Sequence, residues 1–279
     1  MSEATEFVRS GRDIPGPRDW ILDVFGSFVR DFGGWIAVAD LLELIGSLGV
    51  SESSGRAALS RMKTQDELLA TARGRVRGYA LTEPAENWFE DGTSRILKGL
   101  PDHVDDSSWI IAAFTVPESE RSIRYQIRTR LQNLGFGQLA GGLMLAPAAI
   151  LSETERALER SGLSRHVELW KSQHVGSTPL EEMVRSAWDL DAIDSAFREY
   201  LTLADELEAR TNVKSDEDAF VRYMVNINAW RELPFLDPGI PGRYLPDGWP
   251  AIDARAAFTR ISAEYKPFAW RHFVRTAST

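Results

Sequence analysis

Six basic side chains, Arg56, Arg61, Lys63, Arg73, Arg75 and Arg77, fall between positions 51 and 80, against only Glu52, Asp66 and Glu67. That window carries a charge of +3, whereas the 279-residue chain as a whole carries −9. Guanidinium forks at this density bind phosphate oxygens. A basic patch on an acidic chain is the electrostatic footprint of one localised nucleic-acid face, not of general coating. Ser53, Ser54 and Ser60 add hydroxyl groups able to bond phosphates or base edges. The competing reading is that these arginines only solubilise a helix and a loop.

Three elements must hold those side chains. An amphipathic pattern places Leu41, Leu42 and Ile45 on one side of a first helix, followed by a Gly-Ser-Leu-Gly turn. A second helix opens at Ser51 or Ser53, both good N-caps, with Ala57, Ala58 and Met62 inward and Ser54, Arg56, Ser60, Arg61 and Lys63 outward. A helix pair with a short glycine-containing turn is the helix-turn-helix arrangement, and Ser53–Lys63 is then the helix that enters a major groove. Leu68–Ala72, Arg73-Gly74-Arg75 and Val76–Leu81 read as strand, turn and returning strand, a wing with arginines at its tip.

The rest of the chain bounds the function. It has no cysteine, which excludes disulfides, thiolate zinc sites and cysteine nucleophiles and fits a cytoplasmic protein. No apolar run reaches the roughly 18 residues a membrane span needs. The N-terminus lacks a signal-peptide pattern and reads as a poorly ordered arm before Pro17. Pro17–Phe32 is a helix with a broad aromatic face closed by Gly33-Gly34, and Ala85–Ile96 is a linking helix. A domain boundary is expected at Lys98–Ser107. Strands at Trp109–Val116, Gly141–Pro147 and His166–Gln173 alternate with helices at Glu118–Asn133 and Ser152–Ser161, the latter with a Ser152/Glu155 capping box. That order suggests a ferredoxin-like sandwich. Leu180–Leu201, Asp216–Trp230 and Ala254–Phe273 are helices, and Leu233–Pro250, with five prolines and three glycines, is an ordered irregular loop.

The fold class is therefore α+β and multidomain. The expected parts are a winged helix-turn-helix domain with linker helix (17–100), a central ferredoxin-like α/β sandwich (101–177) and a mainly helical C-terminal effector and dimerisation domain (178–279).

Four stretches in this order, GVSESSGRAALSRM with GRVRGYALT, LQNLGFGQLAGGLMLAP, WDLDAI and LPFLDPGIPGRYLPDGWP, resemble the PaaX family, repressors of bacterial phenylacetic acid degradation genes. The resemblance implies a homodimer that binds a double-stranded DNA operator and releases it when an aryl-CoA thioester, typically phenylacetyl-CoA or a related acyl-CoA, binds. It implies no enzymatic activity and no resident cofactor. One departure stands out: the family usually carries Gly-Trp-Leu before the wing, where this chain has Asp66-Glu67-Leu68. Two acids there would oppose phosphate approach.

For the effector, Arg231, Arg243, Tyr244 and Trp249 in or beside the proline-rich loop offer cations and aromatic surface together. The alternative makes Trp230, Tyr244 and Trp249 core and Arg243 a surface charge. Two other functions are open: a metal-dependent nuclease built on the central sandwich, or a ligand-binding protein without DNA binding. Small CRISPR-associated nucleases, which the central region resembles, hold a metal with an aspartate at the end of the first strand. Here that position reads Phe114-Thr115-Val116-Pro117. The four histidines are too scattered for a metal motif, although His166 and His174 flank one strand and could meet.

Overall fold

The structure, a computed structural model, describes residues 15–98, 108–209 and 213–278. The N-terminal arm, His103 and residues 99–107 of the expected domain boundary lie outside the described residues. The described protein is α+β, with two small antiparallel sheets. By contact the described residues form two units: those up to 93 with those of 200–231 and from 256 onward, and those of 94–199 with 232–255. The C-terminal helices are thus shared out between the two.

In the first unit, α1 (Pro17–Val24) continues through a π turn at Phe25–Val29 and a 3-10 turn at Arg30–Phe32 to Gly33, whose φ of +92° ends the helix. The π turn lies at Gly26, where a Cβ would stand 2.8 Å from the Phe89 ring. A three-residue strand follows, β1 (Trp35–Ala37), too short to show alternation in the sequence. Then come α2 (Val38–Ser47), α3 (Glu52–Thr64), β2 (Leu68–Arg73), β3 (Val76–Leu81) and α4 (Glu83–Lys98). The sheet runs β1-β3-β2, so β3 is central and paired on both sides.

The aromatic face of α1 backs onto α2 and α3, as expected, but its main partners come from the far end of the chain. Phe28 stacks on Phe273 at 5.0 Å and meets Phe220 and Tyr223 at 5.6 Å. These belong to α9 (Asp216–Trp230), buried nearly all round, and α11 (Ala251–Ala277), which runs through Pro267. Two of the polar groups inside this core are bonded to each other: the Tyr200 hydroxyl donates to Asn226 Oδ1 at 2.7 Å, and Asn226 Nδ2 donates to Ser262 at 3.0 Å.

His272, in the same core, gives the unit a pH dependence. Arg275 can only donate, so Nδ1 of His272 accepts from its Nη2 at 3.3 Å and the neutral ring carries its proton on Nε2. Burial pushes the imidazole below its ordinary value; Arg275 adds to this, while Glu217, Glu43 and Asp216 oppose it. The folded chain therefore binds fewer protons here than the unfolded one, and stability is lost as pH falls through about 6.5. In urea titrations, His272→Leu should flatten the fall in stability between about pH 7 and 5; an unchanged slope would contradict this.

The second unit is built on β4 (Trp109–Ala113), α5 (Arg121–Asn133), β5 (Gly137–Ala140), β6 (Leu143–Pro147), α6 (Leu151–Arg160) and β7 (Glu168–Ser172). The sheet is antiparallel throughout in the order β5-β6-β4-β7. Ile110, Ala112, Met144 and Ala146 face Ile127, Leu131, Ala157 and Leu158 in one core. Several details differ from the sequence-based expectations. The first strand stops at Ala113, although Phe114 and Val116 stay buried. Gly137 opens a strand where only a break was expected, and Gly142 at φ +80° makes the hairpin turn to β6. Ser152 does not cap α6, because a 3-10 turn at Ala148–Ile150 feeds straight into the helix.

The helix expected over Leu180–Leu201 is two, α7 (Leu180–Ala187) and α8 (Leu190–Ala209). The break falls at Trp188-Asp189: the indole donates to Gly135 O at 2.9 Å, and Asp189 Oδ1 accepts from Ala192 N at 3.0 Å as a cap. Within the proline-rich stretch lie a short helix, α10 (Leu233–Leu236), and a 3-10 turn, Gly242–Tyr244. Asp237 pins the stretch, accepting from Gly239 N, Ile240 N and Trp249 Nε1 at 2.9–3.1 Å. Among the described residues, no helix is long and apolar enough to cross a membrane.

Candidate nucleic-acid interface

The basic face is assembled on α3 and the β2–β3 hairpin. Ser51 caps α3, accepting from Ser54 N at 3.2 Å, so the helix begins one residue before Ser53. Gly55, Ala58, Leu59 and Met62 face inward; Ala57, expected inside, is exposed. The reason is at Gly55, where a Cβ would stand 2.7 Å from Leu42 and 2.9 Å from Ile45. The close approach of α2 at that glycine sets which stripe of α3 is buried. Ser53, Ser54, Arg56, Ser60, Arg61 and Lys63 are all exposed.

The cations are not equivalent. Among the described residues, no side-chain hydrogen bond or ion pair reaches Arg61, Lys63, Arg75 or Arg77. Arg56 pairs with Glu52 one turn back at 2.8 Å, an exposed contact worth little and easily exchanged for phosphate. Arg73, although exposed, folds back on the chain, donating to Gly33 O at 3.1 Å with its guanidinium 4.8 Å from the Trp35 ring. It braces the hairpin. Gly74, at φ +62°, and Arg75, without a positive φ, form the two-residue loop with the pattern of a type II′ turn, which leaves Arg75 and Arg77 outward.

Trp35 is the residue the sequence reading missed. Its indole lies on Gly78 and donates to Thr71 at 3.0 Å, tying both hairpin strands to β1. The signal was a tryptophan just after Gly33-Gly34, too short a segment to read as a strand.

The two acids before the wing also resolve differently from expectation. Arg18 takes the Glu67 carboxylate in a fork, with Nε 3.1 Å from both oxygens, so the Glu67 charge is paired at the surface. Asp66 is the residue that remains. It sits at φ +57°, past the end of α3, where Glu67 N bonds Met62 O and Asp66 N bonds Lys63 O, the left-handed closing turn that favours glycine. Asp66→Gly should therefore stabilise the protein by about 1 kcal/mol, read as a higher urea midpoint. Asp66→Asn should raise DNA affinity with little change in stability; no gain in affinity would show that this charge lies off the phosphate path.

The four residues expected to hold an effector are divided. Arg231 belongs to the first unit and is committed there to Asp19 at 2.9 Å and Asp23 at 3.2 Å. In the second unit, Tyr244 is buried against Trp109 at 5.9 Å, Trp249 bonds Asp237, and Arg243 lies exposed over the Tyr244 ring at 4.8 Å. His166 pairs with Arg165, and the stretch after β4 that a nuclease would fill with an aspartate is apolar core at Phe114 and Val116. No cluster of three or more metal-ligating side chains occurs among the described residues.

Three family models match in chain order. They are "PaaX-like protein" over residues 17–85, "PaaX protein central Cas2-like domain" over 102–184 and "PaaX-like protein C-terminal domain" over 188–275. The chain belongs to the PaaX family. It is 23% identical over 256 residues to the Transcriptional repressor PaaX of Escherichia coli strain K12, covering 89% of this chain and 80% of that one. In fold it is similar to an uncharacterized protein from Mycobacterium tuberculosis, at a TM-score of 0.56 and 19% identity over 94% of this chain and 98% of that one. Membership puts all the basic residues of α3 and the hairpin inside the N-terminal match.

Proposed function

We propose that the protein is a transcriptional repressor, a regulator and not an enzyme, that acts in the cytoplasm as a homodimer on double-stranded DNA. The observation that carries this is the set of exposed, uncommitted cations Arg61, Lys63, Arg75 and Arg77 on one helix and one hairpin of an otherwise acidic chain. Residues 35–81 are a winged helix-turn-helix in this reading. α3 enters the major groove with Arg56, Ser60 and Arg61 toward bases or phosphates, and Arg75 and Arg77 hold the backbone or minor groove. The β4–β7 unit is ferredoxin-like, its strand order supporting that name.

The effector is an aryl-CoA, phenylacetyl-CoA or a related acyl-CoA, and the regulated genes serve aromatic-acid catabolism. The family resemblance supports both, and the name of the Escherichia coli relative supports the repressor role. Arg243, Tyr244 and Trp249 belong to the effector region in this reading. Two half-sites about one helical turn or more apart are read together, so a modest change in the spacing of the two wings loses one of them. The test is light scattering of the protein alone and with the DNA upstream of its own gene. Two chains per duplex, displaced by unlabelled operator but not by scrambled DNA, is the expected result. One chain per duplex, or equal competition by both DNAs, would overturn the dimeric operator reading.

A further inference from the structure

One charged cluster lies apart from the DNA face and is used by nothing above. Arg95, on the last turns of α4, has a side chain only 2% exposed. Its Nε donates to Pro234 O and its Nη1 to Leu134 O, both at 2.8 Å, and its plane lies 4.8 Å from the Phe235 ring. Its remaining nitrogen, Nη2, is buried with no hydrogen-bond partner among the described residues.

The acid facing Arg95 is Glu153 of α6, and the match is poor. Oε2 stands 3.6 Å from Arg95 Nη1, an ion-pair separation beyond hydrogen-bond length, and Oε1 is buried without a partner. Arg130 of α5 and Arg156 of α6 add their positive charge to the surroundings of Glu153, and Nε of Arg130 is itself buried with no hydrogen-bond partner among the described residues. Asp237 is the other nearby acid, and its oxygens are spent on Gly239, Ile240 and Trp249. Burial works against every ionised member: it lowers Arg95 and Arg130 and raises Glu153. A cluster serving packing alone would be better built from apolar residues, since a buried cation with an unused donor is costly.

We propose that the Arg95–Arg130–Glu153 cluster is an oxyanion-binding site, in which a phosphate or carboxylate oxygen accepts from Arg95 Nη2 and Arg130 while the Glu153 carboxylate gives way. Glu153 is the stand-in anion, and its side chain is 13% exposed against 2% for Arg95. Only the identity of the molecule carrying the oxyanion rests on the effector reading above. Arg95 also shares α4 with Glu86 and Thr93, which bond Arg30 at 2.6 and 3.0 Å in the unit bearing the wing.

The test is calorimetric titration of the full chain with coenzyme A, a source of phosphates, and separately with phenylacetate, a source of carboxylate. Binding of either one fits the site, and which of them binds names the source. Arg130→Gln should weaken that binding by about tenfold, the worth of one charge-assisted hydrogen bond. Glu153→Gln, which keeps the volume and removes the competing charge, should tighten it. Binding of neither probe, or wild-type affinities in both variants, would overturn the site. DNA release measured in parallel separates the two readings. Anion binding that follows this pattern without any effect on DNA keeps the site and discards the effector reading. Thioester-driven release untouched by both substitutions keeps the effector reading and discards the site.

Discussion

Replacing Arg75 and Arg77 together by alanine lowers affinity for every duplex, operator or not, by about tenfold per arginine at low salt. Neither side chain is used inside the fold, so the substitutions remove phosphate contacts without disturbing the hairpin, whose turn depends on Gly74 and whose base depends on Trp35. Each lost phosphate contact also takes about 0.9 from the slope of log affinity against log salt, so the double variant flattens it by about 1.8 for each protomer bound. Preference between operator and scrambled DNA stays nearly constant, because backbone contacts position the protein and base contacts discriminate. Fluorescence anisotropy at several salt concentrations reads both quantities. Arg73→Ala behaves differently. It loosens the hairpin through the lost Gly33 and Trp35 contacts, so its effect appears in stability as well as in affinity.

Gly78→Val is the largest expected stability loss. A Cβ at this position would stand 2.3 Å from the Trp35 indole and 2.4 Å from Ile36 O. The indole can rotate away only by giving up its bond to Thr71 and its stacking under Arg73. The carbonyl cannot move, because β3 is paired on both sides and Ile36 lies opposite Tyr79 in the ladder. The expected cost is about 3 kcal/mol, the upper range for forcing extra bulk into a closed core, seen as a lower urea midpoint with non-specific DNA binding weakened in parallel. An unchanged midpoint would mean that Trp35 is not seated on Gly78.

Much of the basic face is legible in the sequence because its signals are local. Ser51 and the helix period give α3, Arg-Gly-Arg between two alternating runs gives the hairpin, and charge counting gives the exposed basic side chains. What was not legible depends on contacts distant in the chain. Trp35 reads as one more aromatic residue until Gly78 is placed beneath it. Glu67 reads as repulsive until Arg18, forty-nine positions away, is seen to take its charge. Arg95 reads as an ordinary helix arginine, since its partners Leu134, Glu153 and Pro234 come from three separate segments. The same holds for the C-terminal helices. Their apolar periodicity was plain, but nothing local says that Phe273 stacks on Phe28. Arg231 stands beside the loop with Arg243 in the sequence, while its ion-pair partners, Asp19 and Asp23, lie at the other end of the chain.

The central claim is that ligand controls DNA binding, and the direct measurement is an anisotropy titration against the DNA upstream of the protein's own gene, at two salt concentrations, with and without phenylacetyl-CoA. Tight binding that weakens steeply with salt and is released by the thioester is the predicted result. Tight binding indifferent to the thioester would contradict the proposed effector, and absence of binding at the lower salt would contradict the repressor reading itself.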